Sequence, residues 1–95
     1  MSAQRREAHT VHIPPVEVEV LGARVTVVEV TRYTRFDGER RYIVSCFAEW
    51  SGYRSPVFQL DVKDNEELYR KLSVEVAKMK LAVASGFTLP FQRTA

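Results

Sequence analysis

Apolar and polar positions alternate with a period of two from Val16 onward, and the period changes to that of a helix after Val62. Val16, Val18 and Val20 alternate with Glu17 and Glu19, which predicts a strand with one dry and one wet side. Pro14-Pro15 keeps that strand from starting earlier, and Leu21-Gly22-Ala23 turns the chain back. Three longer strands are then expected, over about Arg24–Arg35, Glu39–Trp50 and Tyr53–Val62, joined by Asp37-Gly38 and Ser51-Gly52. Each of these dipeptides predicts a two-residue hairpin loop, because Gly supplies a positive φ. Pro56 suits an edge position or a bulge in the last strand.

Two-residue loops would place Phe36 opposite Glu39 and Trp50 opposite Tyr53, and strict alternation then assigns every side chain to a face. One face collects Val28, Val30, Ile43, Phe47, Phe58, Leu60 and Val62, with Glu49 and Arg54 opposed, and is the expected core face. The other sets Tyr33 opposite Tyr42 and Arg35 opposite Arg40, beside Trp50 and Tyr53, over a floor of Val25, Val27, Val44, Cys46, Ala48 and Val57.

Asp64 and Glu67 have the spacing of a capping box, and a helix is predicted from Asn65 to about Ser85. Leu68, Leu72, Val76, Met79 and Val83 form one apolar stripe, suited to the sheet, and Val74, Ala77, Leu81 and Ala84 form a second. Two stripes imply two partners, so a homodimer is expected. Gly86 reads as the C-terminal cap, and Phe87, Leu89, Pro90 and Phe91 as an apolar tail. The fold class expected is α+β: a four-stranded curved antiparallel meander with one long C-terminal helix on its Ile43, Phe47, Phe58 and Leu60 face.

With 95 residues the chain is one domain, expected as a flexible basic arm over 1–12, carrying Arg5 and Arg6, and a folded unit over 13–95. Net charge is only +2, so the overall field argues little for nucleic acid; its distribution argues more. Arginine outnumbers lysine ten to four, and Arg24, Arg32, Arg35, Arg40, Arg41 and Arg54 lie among the hairpin aromatics. Glu29, Asp37, Glu39 and Glu49 share the region and would neutralise part of that charge. High Glu, Arg and Val with little Asn and Gln is compatible with a thermophilic source.

The lone Cys46 cannot form an internal disulfide, which points to the cytoplasm. It reads as a buried thiol, since no histidine or acid is spaced to activate it. No apolar run is long enough for a membrane span, and no apolar signal core follows Met1. His9 and His12 are spaced like a helical metal pair but stand in a stretch without helical pattern, so no metal role is assigned. Walker loop, dinucleotide fingerprint, Cys/His metal spacing and a nucleophile with its base are all missing, so neither an enzyme nor a cofactor is expected.

A face shared by aromatics and arginines suits a nucleic-acid strand, because bases stack on aromatic rings and guanidinium groups take phosphates. The candidate binding residues are Tyr33, Arg35, Phe36, Arg40, Arg41, Tyr42, Trp50, Tyr53 and Arg54. Of these, Phe36, Arg41 and Arg54 count to the core face and would act from the strand ends. The competing reading is that the aromatics follow strand propensity and form core, or an interface in a dimerisation or protein-interaction module.

The order strand, long hairpin, fourth strand, helix, with Tyr33-Thr34-Arg35-Phe36, Arg40-Arg41-Tyr42 and Trp50-Ser51-Gly52-Tyr53-Arg54, resembles the ThermoDBP-related single-stranded DNA-binding proteins of hyperthermophilic archaea. The likeness covers about Val16 to Gly86 and rests on architecture and the aromatic and arginine face. It implies a curved antiparallel sheet braced by helices and single-stranded DNA held in an apolar cleft with a basic rim. Single-stranded nucleic acid is therefore the expected partner, with DNA favoured over RNA by the resemblance.

Overall fold

The chain was analysed as a computed structural model, which describes residues 8–11, 15–86 and 92–93, the first and last of these segments as backbone only. Its strands are β1 (Ala8–Val11), β2 (Val16–Val20), β3 (Ala23–Thr34), β4 (Arg40–Trp50), β5 (Tyr53–Arg54), β6 (Phe58–Val62) and β7 (Gln92–Arg93), with helix α1 (Asn65–Ser85) after β6. The fold is α+β, an open antiparallel sheet with one helix packed against it, as expected. β3 and β4 form its long central pair. β2 and β1 succeed one another along β3, β5 and β6 along β4, and β7 pairs with β5. The stretch 1–12 is therefore not an arm throughout, since Ala8–Val11 pairs with Val30–Tyr33. The apolar tail over 87–91 and the arm's Arg5 and Arg6 lie outside the described residues.

Three one-residue slips set the register. The first is in the β3–β4 loop. Arg35 N–H donates to Glu39 O and Gly38 N–H to Arg35 O, both at 2.9 Å, so the loop is the three residues Phe36-Asp37-Gly38. Gly38 carries the positive φ of 87°, and the Asp37 carboxylate accepts from Glu39 N–H at 3.0 Å. This is a type I turn closed by a glycine bulge, which an Asp-Gly pair serves as readily as a two-residue loop. Tyr33 consequently faces Arg41, Arg32 faces Tyr42, and Arg35 faces Glu39 rather than Arg40. The second slip is a bulge between Val27 and Glu29. Val27 pairs with Cys46 but Val30 with Val44, so Val27 and Val30 share a face and Val28 is the extra residue. The third lies at Pro56-Val57, between the pairings of Arg54 with Glu49 and of Phe58 with Cys46.

The slips exchange the faces. Phe58, Leu60 and Val62 join Tyr42, Val44, Cys46 and Trp50, and α1 packs on that face rather than on the one carrying Ile43 and Phe47. Leu72, Val76 and Met79 are buried against Val25, Val44, Cys46 and Val62, with Leu68 and Val83 partly buried beside them. The first helix stripe thus meets the sheet as predicted. Burying each such aliphatic side chain contributes about 1.5 to 3 kcal/mol. Val74 and Leu81 of the second stripe are 52% and 67% exposed.

The helix ends are those the sequence predicts. Asp64 Oδ1 accepts from Glu67 N–H at 2.8 Å, while the Glu67 carboxylate reaches back past the cap to Lys63 N–H, also at 2.8 Å. Gly86, at φ 73°, closes the other end by donating to Ala82 and Val83 carbonyls. The Ser51-Gly52 turn is a true two-residue loop with both φ positive, and Trp50 faces Tyr53 as expected.

Candidate nucleic-acid interface

On the helix-free face the expected arginines are already engaged. Arg41 bonds Asp61 at 2.7 Å and lies within 3.3 Å of Glu39 and 3.6 Å of Glu67. Tyr33, buried on the same face, donates its hydroxyl to Asp61. That hydrogen bond raises the Tyr33 pKa above its ordinary value, with burial adding to it. Burial pushes the Asp61 carboxyl up, but the hydrogen bonds from Tyr33 and Arg41 outweigh it and hold the group below its ordinary value. Glu67 is likewise held low, first by the Lys63 N–H and then by Lys71 and Arg41. Arg54 pairs with Glu49 at 3.1 Å and lies over the Phe47 ring, 4.8 Å from its centre, and Arg24 reaches the same carboxylate at 3.3 Å. At the loop, Arg35 is held by Glu39 at 3.1 Å and Asp37 at 3.8 Å. Exposed pairs of this kind add little stability, yet each removes a charge that a phosphate would otherwise meet.

The helix side holds the other aromatics, in two different settings. Tyr42, Trp50 and Tyr53 all pack partly buried against the core. The Lys80 ammonium lies over the Trp50 ring, 5.2 Å from its centre, while donating to Leu21 O at 2.6 Å, so that ring has a cation where a base would stack. Tyr42 also lines a cleft of about 420 Å³, with Val27, Val30, Val44, Val62 and Leu68 as apolar walls and Lys63, Asp64 and Asn65 from the start of α1. Arg32 stands opposite Tyr42 across the ladder, and Arg40 lies two residues along β4 on the same face. Both are exposed, and Arg32, Arg40 and Lys63 form no ion pair or side-chain hydrogen bond with the described residues. An apolar cleft with an aromatic wall, Lys63 in its lining and Arg32 and Arg40 beside it on the same face, none ion-paired with the described residues, has the chemistry to hold an unpaired base and its phosphates.

Two other clefts are chemically unlike it. One of about 500 Å³ is lined by Glu17, Glu19 and Glu49 beside Arg24 and Trp50, the wrong charge for a phosphate chain. The other, of about 260 Å³ between Phe58, Met79 and Ala82, has its rim charges Glu75 and Lys78 paired with each other at 3.3 Å. Among the described residues no group of three or more His, Cys, Asp and Glu side chains is placed to hold a metal. Cys46 is fully buried, and burial pushes its thiol up to about 11. No described helix is long and apolar enough to cross a membrane. Comparison with protein-family models, curated proteins and solved structures returns no match to this chain.

Of the nine residues singled out from the sequence, Tyr42 lines the cleft and Arg40 lies two residues along the strand on the same face. Tyr33, Arg41 and Arg54 lie on the opposite face, Trp50 and Tyr53 under the helix end, and Arg35 and Phe36 at the hairpin tip. Arg32, Lys63 and Leu68 are not among the binding residues that the sequence singles out. A signal for Arg32 was present: the doublet Val27-Val28 interrupts strict alternation, and a bulge there carries Val30 and Arg32 to the face of Val25 and Val27.

Proposed function

We propose that this protein is a sequence-tolerant single-stranded nucleic-acid binder, acting by binding rather than catalysis. Bases enter the cleft beside Tyr42, and Arg32, Arg40 and Lys63 take the phosphates. The observation that carries this reading is the apolar cleft whose rim cations have no acidic partner among the described residues. Elsewhere on the sheet, Arg24, Arg41 and Arg54 are matched by carboxylates, which favours phosphate attraction here. The likeness to the archaeal family favours DNA over RNA, and the lone Cys46 a cytoplasmic setting. The exposed helix row of Val74, Ala77, Leu81 and Ala84 supports a homodimer in the same reading, which light scattering at micromolar concentration checks.

The test is a titration of labelled single-stranded DNA, single-stranded RNA and duplex DNA at two salt concentrations. Single strands should bind more tightly than duplex, with affinity falling as salt rises through counterion release. Affinity for no oligonucleotide, or for duplex alone, would sink the proposal. A protein-interaction module, the alternative class, would show a salt-insensitive interface and no oligonucleotide binding.

A further inference from the structure

The edge strand β2 is open along its outer side. Among the described residues it pairs only with β3, and Val16, Glu17, Val18 and Glu19 are all exposed, Val16 and Val18 at 42% and 40%. Pro15, which has no N–H, bounds this edge at one end and the Leu21-Gly22 turn at the other, leaving five residues whose outer backbone groups can pair with a further strand. The two sides of β2 differ. Val16 and Val18 stand opposite Val27 and Val25 and carry the apolar face of the core out to the sheet's margin, whereas Glu17 and Glu19 stand opposite Thr26 and Arg24 on the helix-free face. Neither glutamate has an ion pair with the described residues, and Arg24 is taken by Glu49 at 3.3 Å. The acidic cleft of about 500 Å³ begins at these glutamates and runs to Glu49, with Arg24 the only basic side chain among its described lining residues. Lys80 is held on the Leu21 carbonyl and over the Trp50 ring.

The other cations of the chain's two ends are tethered elsewhere. Ala8 pairs with Tyr33, and Tyr33 lies seven and nine residues along β3 from Thr26 and Arg24, the partners of Glu17 and Glu19, about 23 to 30 Å at the rise of a strand. Arg6 and Arg5 are two and three residues from Ala8, a reach of about 11 Å of chain at most, no more than half that distance. Arg93 belongs to β7, which pairs with β5 on the opposite side of the sheet from β2.

We propose that β2 is a docking edge for an extended segment of a partner protein in which basic and apolar residues alternate, added to the sheet as one more strand. Main-chain hydrogen bonds to the edge supply attachment, and alternate side chains supply selection. The apolar residues of the incoming strand lie beside Val16 and Val18, and its lysines or arginines beside Glu17 and Glu19. A second copy of the chain fits less well, because antiparallel pairing of β2 with itself about Val18 sets the two rows of glutamates against each other, and like charges directly opposite destabilise a ladder. Tyr42, Arg32 and Arg40 take no part, so this edge stands or falls independently of nucleic-acid binding.

The experiment titrates labelled peptides onto the full chain: one of alternating lysine and valine long enough to span β2, one of alternating glutamate and valine, and one with the lysines and valines of the first gathered in two blocks. The alternating lysine peptide should bind at least about fivefold more tightly than either of the others, the gain of two favourable cross-strand pairs, and should slow amide hydrogen exchange within 16–20. Glu17→Lys combined with Glu19→Lys should reverse the preference in favour of the glutamate peptide at an unchanged thermal midpoint. No binding of the lysine peptide, equal binding of the block peptide, an unreversed preference in the double variant, or binding without protection within 16–20 each overturns the proposal. Protection of β2 that rises with protein concentration in the absence of peptide overturns it in favour of pairing between copies.

Discussion

Trp50 and Tyr42 sit on the same strand and the same face, eight residues apart, and both pack partly buried against the core, yet their surroundings differ. At the Trp50 end the last turns of α1 lie over the sheet, and Lys80 spans from the indole ring to the Leu21 carbonyl. At the Tyr42 end the helix is only beginning, and the sheet continues beyond it as a cleft with Arg32 and Arg40 at its margin. An aromatic ring at the edge of the core is thus covered or left as a candidate binding platform according to what the helix places over it. The same contrast holds for charge. Arginines of the helix-free face are matched by Asp61, Glu39 and Glu49, whereas those beside Tyr42 are not matched among the described residues.

The comparison is broken most forcefully at the buried helix stripe. Leu72→Ala should cost about 2 to 5 kcal/mol in urea denaturation, because the neighbours of a buried leucine relax only in part. Phe47→Ala, on the helix-free face under Arg54, should cost less than Leu72→Ala; a larger loss would return the core to the Phe47 face. Next comes the contrast between the two aromatics. Tyr42→Ala should weaken single-strand binding by about 1 to 3 kcal/mol with a modest change in stability. Trp50→Ala should lower the unfolding midpoint while leaving the affinity of the folded fraction close to wild type. Should Trp50→Ala abolish binding in a still-folded protein, the assignment of the two ends is reversed.

Smaller effects sharpen the charge contrast. Arg32→Ala and Arg40→Ala should each reduce the slope of log affinity against log salt by about 0.7, one counterion fewer on a single strand. Arg54→Ala and Arg35→Ala should leave the slope close to wild type, since their partners already neutralise them. The smallest effect is in pH. Asp61 and Glu67 are held below the ordinary carboxyl value in the folded chain, so between the two values the unfolded chain binds more protons and stability rises with pH. That contribution is complete above about pH 4 to 5 and is lost as pH falls through the lowered folded values. Urea midpoints measured from pH 7 down to pH 3 should fall in the acid range, and Asp61→Asn should flatten the fall; an unchanged profile would show that the Tyr33, Asp61 and Arg41 cluster adds no acid-sensitive stability.

Much of this molecule is legible without coordinates because it is local. Asp64, Glu67 and Gly86 mark the helix ends through groups within four residues of each other, and Ser51-Gly52 sets its hairpin through two φ angles. The spacing of Leu68, Leu72, Val76 and Met79 identifies the face that α1 buries, since side chains at those intervals stack on one side of any helix. What the stripe meets is another matter. Strict alternation carries an error forward, and a single extra residue reverses every side chain beyond it. The glycine bulge at Gly38, the extra Val28 and the slip at Pro56-Val57 each do so once. Together they moved Tyr33 away from Tyr42 and brought Phe58, Leu60 and Val62 under the helix. The Val27-Val28 doublet and Pro56 hinted at two of these slips. Whether a strand absorbs an extra residue depends on which pairing buries more apolar surface across β3, β4, β6 and α1 together, and that sum is evaluated only in the folded sheet. The elements and their caps belong to the sequence by itself; the choice of face, and with it the place of Tyr42 beside arginines that have no acidic partner among the described residues, was made by tertiary packing.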